Sequence, residues 1–190
     1  MNVIRKQEVS ISAENPICIG DQIETGKYTA TCQKVLDGYA IFMLDQYLDK
    51  PYSMNHVWTN KGGYLASELR KNLNIDFAVD PNFDSIREDL IPFETGDLVR
   101  IPTVGEFFGP DDFYDMDDAE QWELMKDRRN RIALREGEIY EWGWLQNTVK
   151  NSATSFAGVV SDGSANYVAA SNSYGVRPVF SIKISAPCGR

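Results

Sequence analysis

The sequence predicts an α+β fold with strands towards both ends of the chain and helices gathered between them. Three observations predict it. Tyr28–Val35 alternates and is rich in β-formers, then returns through Asp37-Gly38 into the apolar run Tyr39–Leu44. Leu65, Leu69 and Leu73 recur at every fourth position, the spacing of a helix face. Further β-type runs then fill the chain from Ile139 onwards. Strands and helices that segregate in this way argue against an alternating βαβ sheet.

Taken in order, residues 1–15 read as an N-terminal arm with Val3, Val9 and Ile11 available for a short strand, and residues 16–190 as one domain. The Asp37-Gly38 turn joins two strands, the second continuous enough in apolar residues to be central. The leucine spacing predicts one helix over Tyr64–Ile75. A second, around Phe83, Ile86 and Leu90, has Asp80 or Asn82 as cap and ends before Pro92. Leu98–Ile101 is a short strand, and Thr103-Val104-Gly105-Glu106 has capping-box spacing. Trp122, Met125 and Ile132 predict a helix from Asp118 to Leu134 that ends at Gly137. Strands follow at Ile139–Leu145, Ser155–Val160, Asn166–Ala170 and Val176–Ile184, with Asp162-Gly163 marking a hairpin. The last is expected to bury one face, through Val176, Phe180, Ile182 and Ile184.

Composition narrows the function. With 43% apolar and 12% aromatic residues among 190, the chain can build a sizeable core. A net charge of −9 and a pI near 4.6 leave no broad basic face for phosphates, so nucleic acid is not an expected partner. The basic run Lys126–Arg131 is interrupted by Asp127 and reads as a solvated face. The first residues lack the apolar core of a signal peptide, and no apolar run approaches the roughly 20 residues of a membrane span. Membrane insertion is therefore not expected. Cys18, Cys32 and Cys188 are odd in number and show no C-x-x-C spacing, so they are expected to be reduced and structural in a protein made in the cytoplasm.

The last third stands apart in composition. Between Gln146 and Tyr174 the formal charges are Lys150 and Asp162 alone, amid Asn, Ser, Thr, Tyr, Ala and Gly. Rigid aromatics beside short amide and hydroxyl side chains suit a recognition face, and an Asn-, Ser- and Gly-rich β-meander has the same composition. Trp142 and Trp144 share one side of their strand, which puts both in the core or both on display.

Candidates for chemistry are few. His56 is the sole histidine and sits in a loop; Cys32 lies mid-strand and reads as a buried apolar residue. Asp111, Asp112, Asp115, Asp117 and Asp118 form an acidic loop; no metal site is expected, and Asp111, Asp112 and Asp115 are the weak candidates for one. Their spacing fits no loop of known ligand geometry, and acids before a helix also serve its N-terminus. No cofactor motif is present. Arg177, in an otherwise apolar strand, requires a partner such as Glu106 or Asp162.

The order of several short motifs resembles a family of bacterial and prophage proteins with a C-type-lectin-like domain. The motifs are Gly20-Asp21, Gly26-Lys27-Tyr28 and Ala40–Leu44; then Ser67-Glu68-Leu69-Arg70-Lys71-Asn72-Leu73-Asn74; then Ile101-Pro102-Thr103-Val104-Gly105-Glu106; and finally Trp142–Leu145, Asp162-Gly163 and Gly175-Val176-Arg177-Pro178. The resemblance covers about residues 17–184. The resemblance implies a small twisted antiparallel sheet, flanking helices and a loop-rich C-terminal binding region. The calcium motifs of true lectins are absent, as are the paired active-site cysteines of the formylglycine-generating enzyme that shares the fold. Similar domains form the variable tips of phage receptor-binding proteins diversified by retroelements. By that analogy Asn147, Asn151, Asn166, Tyr167, Asn172, Ser173 and Tyr174 sit where variable positions would lie, and with Trp142, Trp144 and Gln146 of the same surface they are the expected contact residues. The expected function is a non-enzymatic module that recognises a protein or glycan on a cell surface. The alternative is a virion or secretion-apparatus structural protein that uses the same face against neighbouring virion proteins or further copies of itself.

Overall fold

The computed structural model describes residues 16–115, 118–138 and 140–184; the expected arm at residues 1–15 lies outside them. The architecture is α+β. Its largest sheet is antiparallel, in the spatial order β1 (Gln22–Thr25), β2 (Tyr28–Leu36), β3 (Tyr39–Leu44), β10 (Val179–Lys183) and β5 (Leu90–Ile91). Leu36 pairs with Tyr39, leaving Asp37-Gly38 as a two-residue turn. Gly38 supplies the positive φ, +80°, and Asp37 does not need one.

Strand β10 closes the sheet from the far end of the chain, pairing Val179–Lys183 with Met43–Tyr39. It is buried on both faces, not on one as its pattern of large apolar residues predicts. Phe180 and Ile182 pack on one side against Phe42, Phe77 and Phe83, while Val179 joins Met43, Phe107 and Leu145 on the other. Successive side chains of a strand point to opposite faces, and here each face has its own cover.

The helical region is more broken than its period suggests. The helix expected over Tyr64–Ile75 is two, α1 (Gly63–Ala66) and α2 (Glu68–Val79), because Ser67 turns extended (φ −68°, ψ 152°) and its hydroxyl caps α2 by accepting from Arg70 N. Leu69, Leu73 and Phe77 are the buried positions, and Leu65 is left 55% exposed, outside the face assigned to it. A 3-10 segment, Pro81–Asp89, follows, capped by Asp80. Helix α3 (Val104–Phe108) carries the expected capping box: Thr103 accepts from Glu106 N, and the Glu106 carboxylate accepts from Thr103 N. The helix expected over 118–134 does not form among the described residues. Two 3-10 turns, Glu123–Lys126 and Arg128–Arg131, replace it, and Asp127 between them is extended.

A three-stranded antiparallel sheet, β6 (Gly143–Thr148), β7 (Ser155–Val159) and β8 (Ala165–Ala169), and the short pair β4 (Tyr52–Ser53) with β9 (Ser173–Tyr174) complete the fold. The Asp162-Gly163 turn forms as expected, with Gly163 at φ +81°. No helix among the described residues is long and apolar enough to cross a membrane. Cys18 is disulfide-bonded, which corrects the expectation of reduced cysteines at that position; Cys32 is free and buried.

Candidate binding surface

The residues proposed for recognition separate into three groups. The first is buried or structural. Trp144 is 2% exposed, and its indole Nε1 donates to Tyr52 O at 2.7 Å. It belongs to the core with Phe156, which removes it from any display face. Gln146 donates to Ile101 O, and Asn147 accepts from Val104 N at 2.8 Å while donating to Asp115 O at 3.1 Å. Those amides tie β6 to the start of α3.

The second group surrounds Tyr174. Its ring stacks on the half-buried Trp142 (centroids 5.6 Å, 21°) and meets Trp144 edge-on at 5.3 Å. The two tryptophans do share a side, and Tyr174 covers it. Asn172 and Ser173 are exposed beside it, and Asn172 donates to the Tyr174 hydroxyl at 3.3 Å. Behind this layer, Gly143 and Gly175 pinch the ring of Tyr47; a Cβ on Gly175 would lie 2.5 Å from Tyr47 Cγ, and one on Gly143 would meet its hydroxyl. Glycine is required at both positions by this close approach. Burial pushes the Tyr47 phenol well above its ordinary pKa, so the ring is a neutral wedge.

The third group is open to solvent. Strand β8 is an edge of its sheet, and Asn166 and Tyr167 are exposed on it. Tyr167, 50% exposed, packs against Phe113, 48% exposed, with ring centroids 5.5 Å apart. Phe113 in turn meets buried Tyr114 edge-on at 5.1 Å, and the Tyr114 hydroxyl donates to Asn166 O at 3.1 Å. Lys150 N donates to Phe113 O, which brings the β6–β7 turn and exposed Asn151 (φ +63°) alongside. Sequence reasoning missed Phe113, because it enters through the acidic loop and carries no periodic signal of its own.

The acidic residues serve the scaffold. Asp111 accepts from Phe113 N at 2.9 Å, Asp115 accepts from the Thr148 hydroxyl, and Asp112 lies 3.9 Å from Lys150. No group of three His, Cys, Asp or Glu converges on a cation position among the described residues; Asp117 lies outside them. Glu106 is held by the Arg100 guanidinium (Nη1–Oε2 2.8 Å) as well as by Thr103 N. His56 is an exposed partner of Glu68. Burial pushes the Cys32 thiol up to about 12, which leaves no thiolate for nucleophilic chemistry.

No family model, curated protein or solved structure matches the chain. The geometry therefore stands alone.

Arg177 corrects a further expectation. It is 6% exposed, yet neither Glu106 nor Asp162 reaches it, since these pair with Arg100 and Arg128. Its Nε donates to Leu44 O at 2.5 Å and its Nη1 to Asn130 O at 2.8 Å. Burial lowers its pKa from the usual arginine value, with Tyr47 and Asp45 opposing the shift. Backbone carbonyls in place of a carboxylate let this arginine join β3, β10 and the 3-10 turn at Arg128–Arg131.

Proposed function

We propose that the chain is a non-enzymatic binding module with a C-type-lectin-like fold, of phage or prophage origin, that recognises a protein or glycan partner. The observation that carries this reading is the Phe113–Tyr167 pair: two half-exposed aromatic rings, Tyr167 on an edge strand and Phe113 on the loop packed against it, with Asn151 and Asn166 nearby. Aromatic rings held rigid before contact lose little entropy on binding, and neighbouring amides supply adaptable hydrogen bonds. The closing of the main sheet by a C-terminal strand that follows Gly175-Val176-Arg177-Pro178 supports the family resemblance. The commitment of Glu106, Asp111 and Asp115 to the bonds described above supports a role without catalysis by these acids.

The test is a binding screen of the full chain against arrayed cell-surface glycans and immobilised bacterial outer-surface proteins, repeated with the Phe113→Ala/Tyr167→Ala double variant. Loss of a wild-type signal by about a hundredfold, two truncated anchors at about 1–2 kcal/mol each, is expected. A wild-type signal that survives the double substitution, or no signal at all, would sink the proposal.

A further inference from the structure

A second site lies elsewhere on the molecule, lined by none of the residues of the Phe113–Tyr167 patch. A cleft of about 380 Å³ opens between β1, β2 and the two 3-10 turns of residues 123–131. Three side chains that line it, Gln33, Asp45 and Arg177, have hydrogen-bonding capacity that the protein leaves unused. Arg177 is nine-tenths buried and lines the cleft, and its Nη2 makes no hydrogen bond among the described residues while Nε and Nη1 are occupied. Among the described residues no carboxylate lies within ion-pair distance of it, and Asp45 acts on it only from further away. Gln33 is 2% exposed. Its Nε2 donates to Thr31 O at 3.1 Å, a carbonyl that can only accept, which fixes the amide's orientation and leaves Oε1 buried with no donor. This orphan sits at a β-bulge: the register of β2 against β3 shifts between Cys32 and Lys34, so Cys32 and Gln33 are both buried in succession. Bulges re-aim side chains, commonly beside binding sites.

Asp45 is the anion of the cleft. Its two oxygens accept from the Thr31 hydroxyl at 2.6 Å and the Gln22 amide at 3.0 Å, and each retains a second lone pair. Leu124, Met125 and Ile132 give the lining an apolar portion, beside Arg129 and Asn130. A buried cation, a carboxylate not paired to it, an acceptor without a donor and an apolar portion of lining are the complement of one ligand class. We infer that the cleft binds a free α-amino acid with an aliphatic side chain. Its carboxylate meets Arg177, its ammonium is shared by Asp45 and the Gln33 carbonyl, and its side chain lies on Leu124, Met125 and Ile132. A buried arginine binds a carboxylate with charge-assisted bonds, and a ligand donor near Gln33 removes the cost of the unpaired acceptor.

Ligand-detected NMR on the full chain tests this with four probes. L-leucine is the complete ligand; isocaproate lacks its ammonium, isoamylamine lacks its carboxylate, and α-hydroxyisocaproate replaces the ammonium by a hydroxyl. L-leucine is expected to bind, with the other three at least about tenfold weaker. Gln33→Met, which keeps shape and removes the acceptor, and Asp45→Asn are each expected to weaken L-leucine at least about tenfold while the thermal midpoint is held or raised. No L-leucine binding at about 10 mM, or binding unchanged in both variants, would overturn the site. Equal binding of α-hydroxyisocaproate would overturn the assignment of the ammonium to Asp45.

Discussion

Trp144 and Tyr167 lie in the same charge-poor third of the chain and have opposite fates. Trp144 is enclosed by Phe156, Tyr174 and the Tyr52 carbonyl, with its one polar atom satisfied at 2.7 Å. Tyr167 stands half exposed on an edge strand against Phe113. Composition treats them alike; what separates them is what each strand faces. Both strands lie at the ends of the β6-β7-β8 sheet, but β6 is covered by Tyr52, Tyr174 and the Tyr47 wedge and bridged to Gly175, whereas β8 meets only the rim of a loop beyond β7. An aromatic, amide-rich segment is therefore two things at once: a core on the covered strand and a display edge on the open one.

The contrast can be broken most forcefully at Trp144. Trp144→Ala removes a fully buried ring and its indole donor to the Tyr52 carbonyl, so chemical denaturation should show a loss of about 3–5 kcal/mol. A loss under about 1 kcal/mol would mean that β6 is not packed as described.

A middle effect is expected at Gly175. Gly175→Ala places a methyl 2.5 Å from Tyr47 Cγ, and the Tyr47 ring, 3% exposed, has no room to withdraw. Overpacking of this kind costs about 1–3 kcal/mol. Pairing it with Tyr47→Leu should recover part of that loss if the wedge is the cause, and a double variant no better than the sum of the singles would point to another strain at Gly175.

Much of this scaffold was legible because its signals are local. The Asp37-Gly38 and Asp162-Gly163 turns, the apolar return strand and the Thr103/Glu106 capping box each depend on residues within a few positions of one another, and each forms. The misread elements depend on distant partners. Trp122, Met125 and Ile132 have helical spacing, but Arg128 is drawn to Asp162 O and Ser164, and Arg131 to Met125 O and the Phe108 ring, which favours two short turns over one helix. Which side Trp144 faces was set by Tyr52, and what Arg177 binds by Leu44 and Asn130, all remote in sequence. Of the expected contact residues, Asn151, Asn166, Tyr167, Asn172 and Ser173 are exposed, and the rest are drawn wholly or partly into structure. Phe113, the partner of Tyr167, left no trace in the pattern.

The smallest stability effect should sit at the open end of the comparison. Tyr167→Ala deletes a ring that packs mainly on another exposed ring, and the backbone bond from the Tyr114 hydroxyl goes to Asn166 O, which the substitution leaves in place. A change within about 0.5 kcal/mol is expected in the same denaturation experiment. A surface ring that adds this little to folding is free to serve contact. If Tyr167→Ala instead costs as much as Trp144→Ala, the Phe113–Tyr167 pair is a structural clasp on the sheet edge, and the division between covered core and open display collapses.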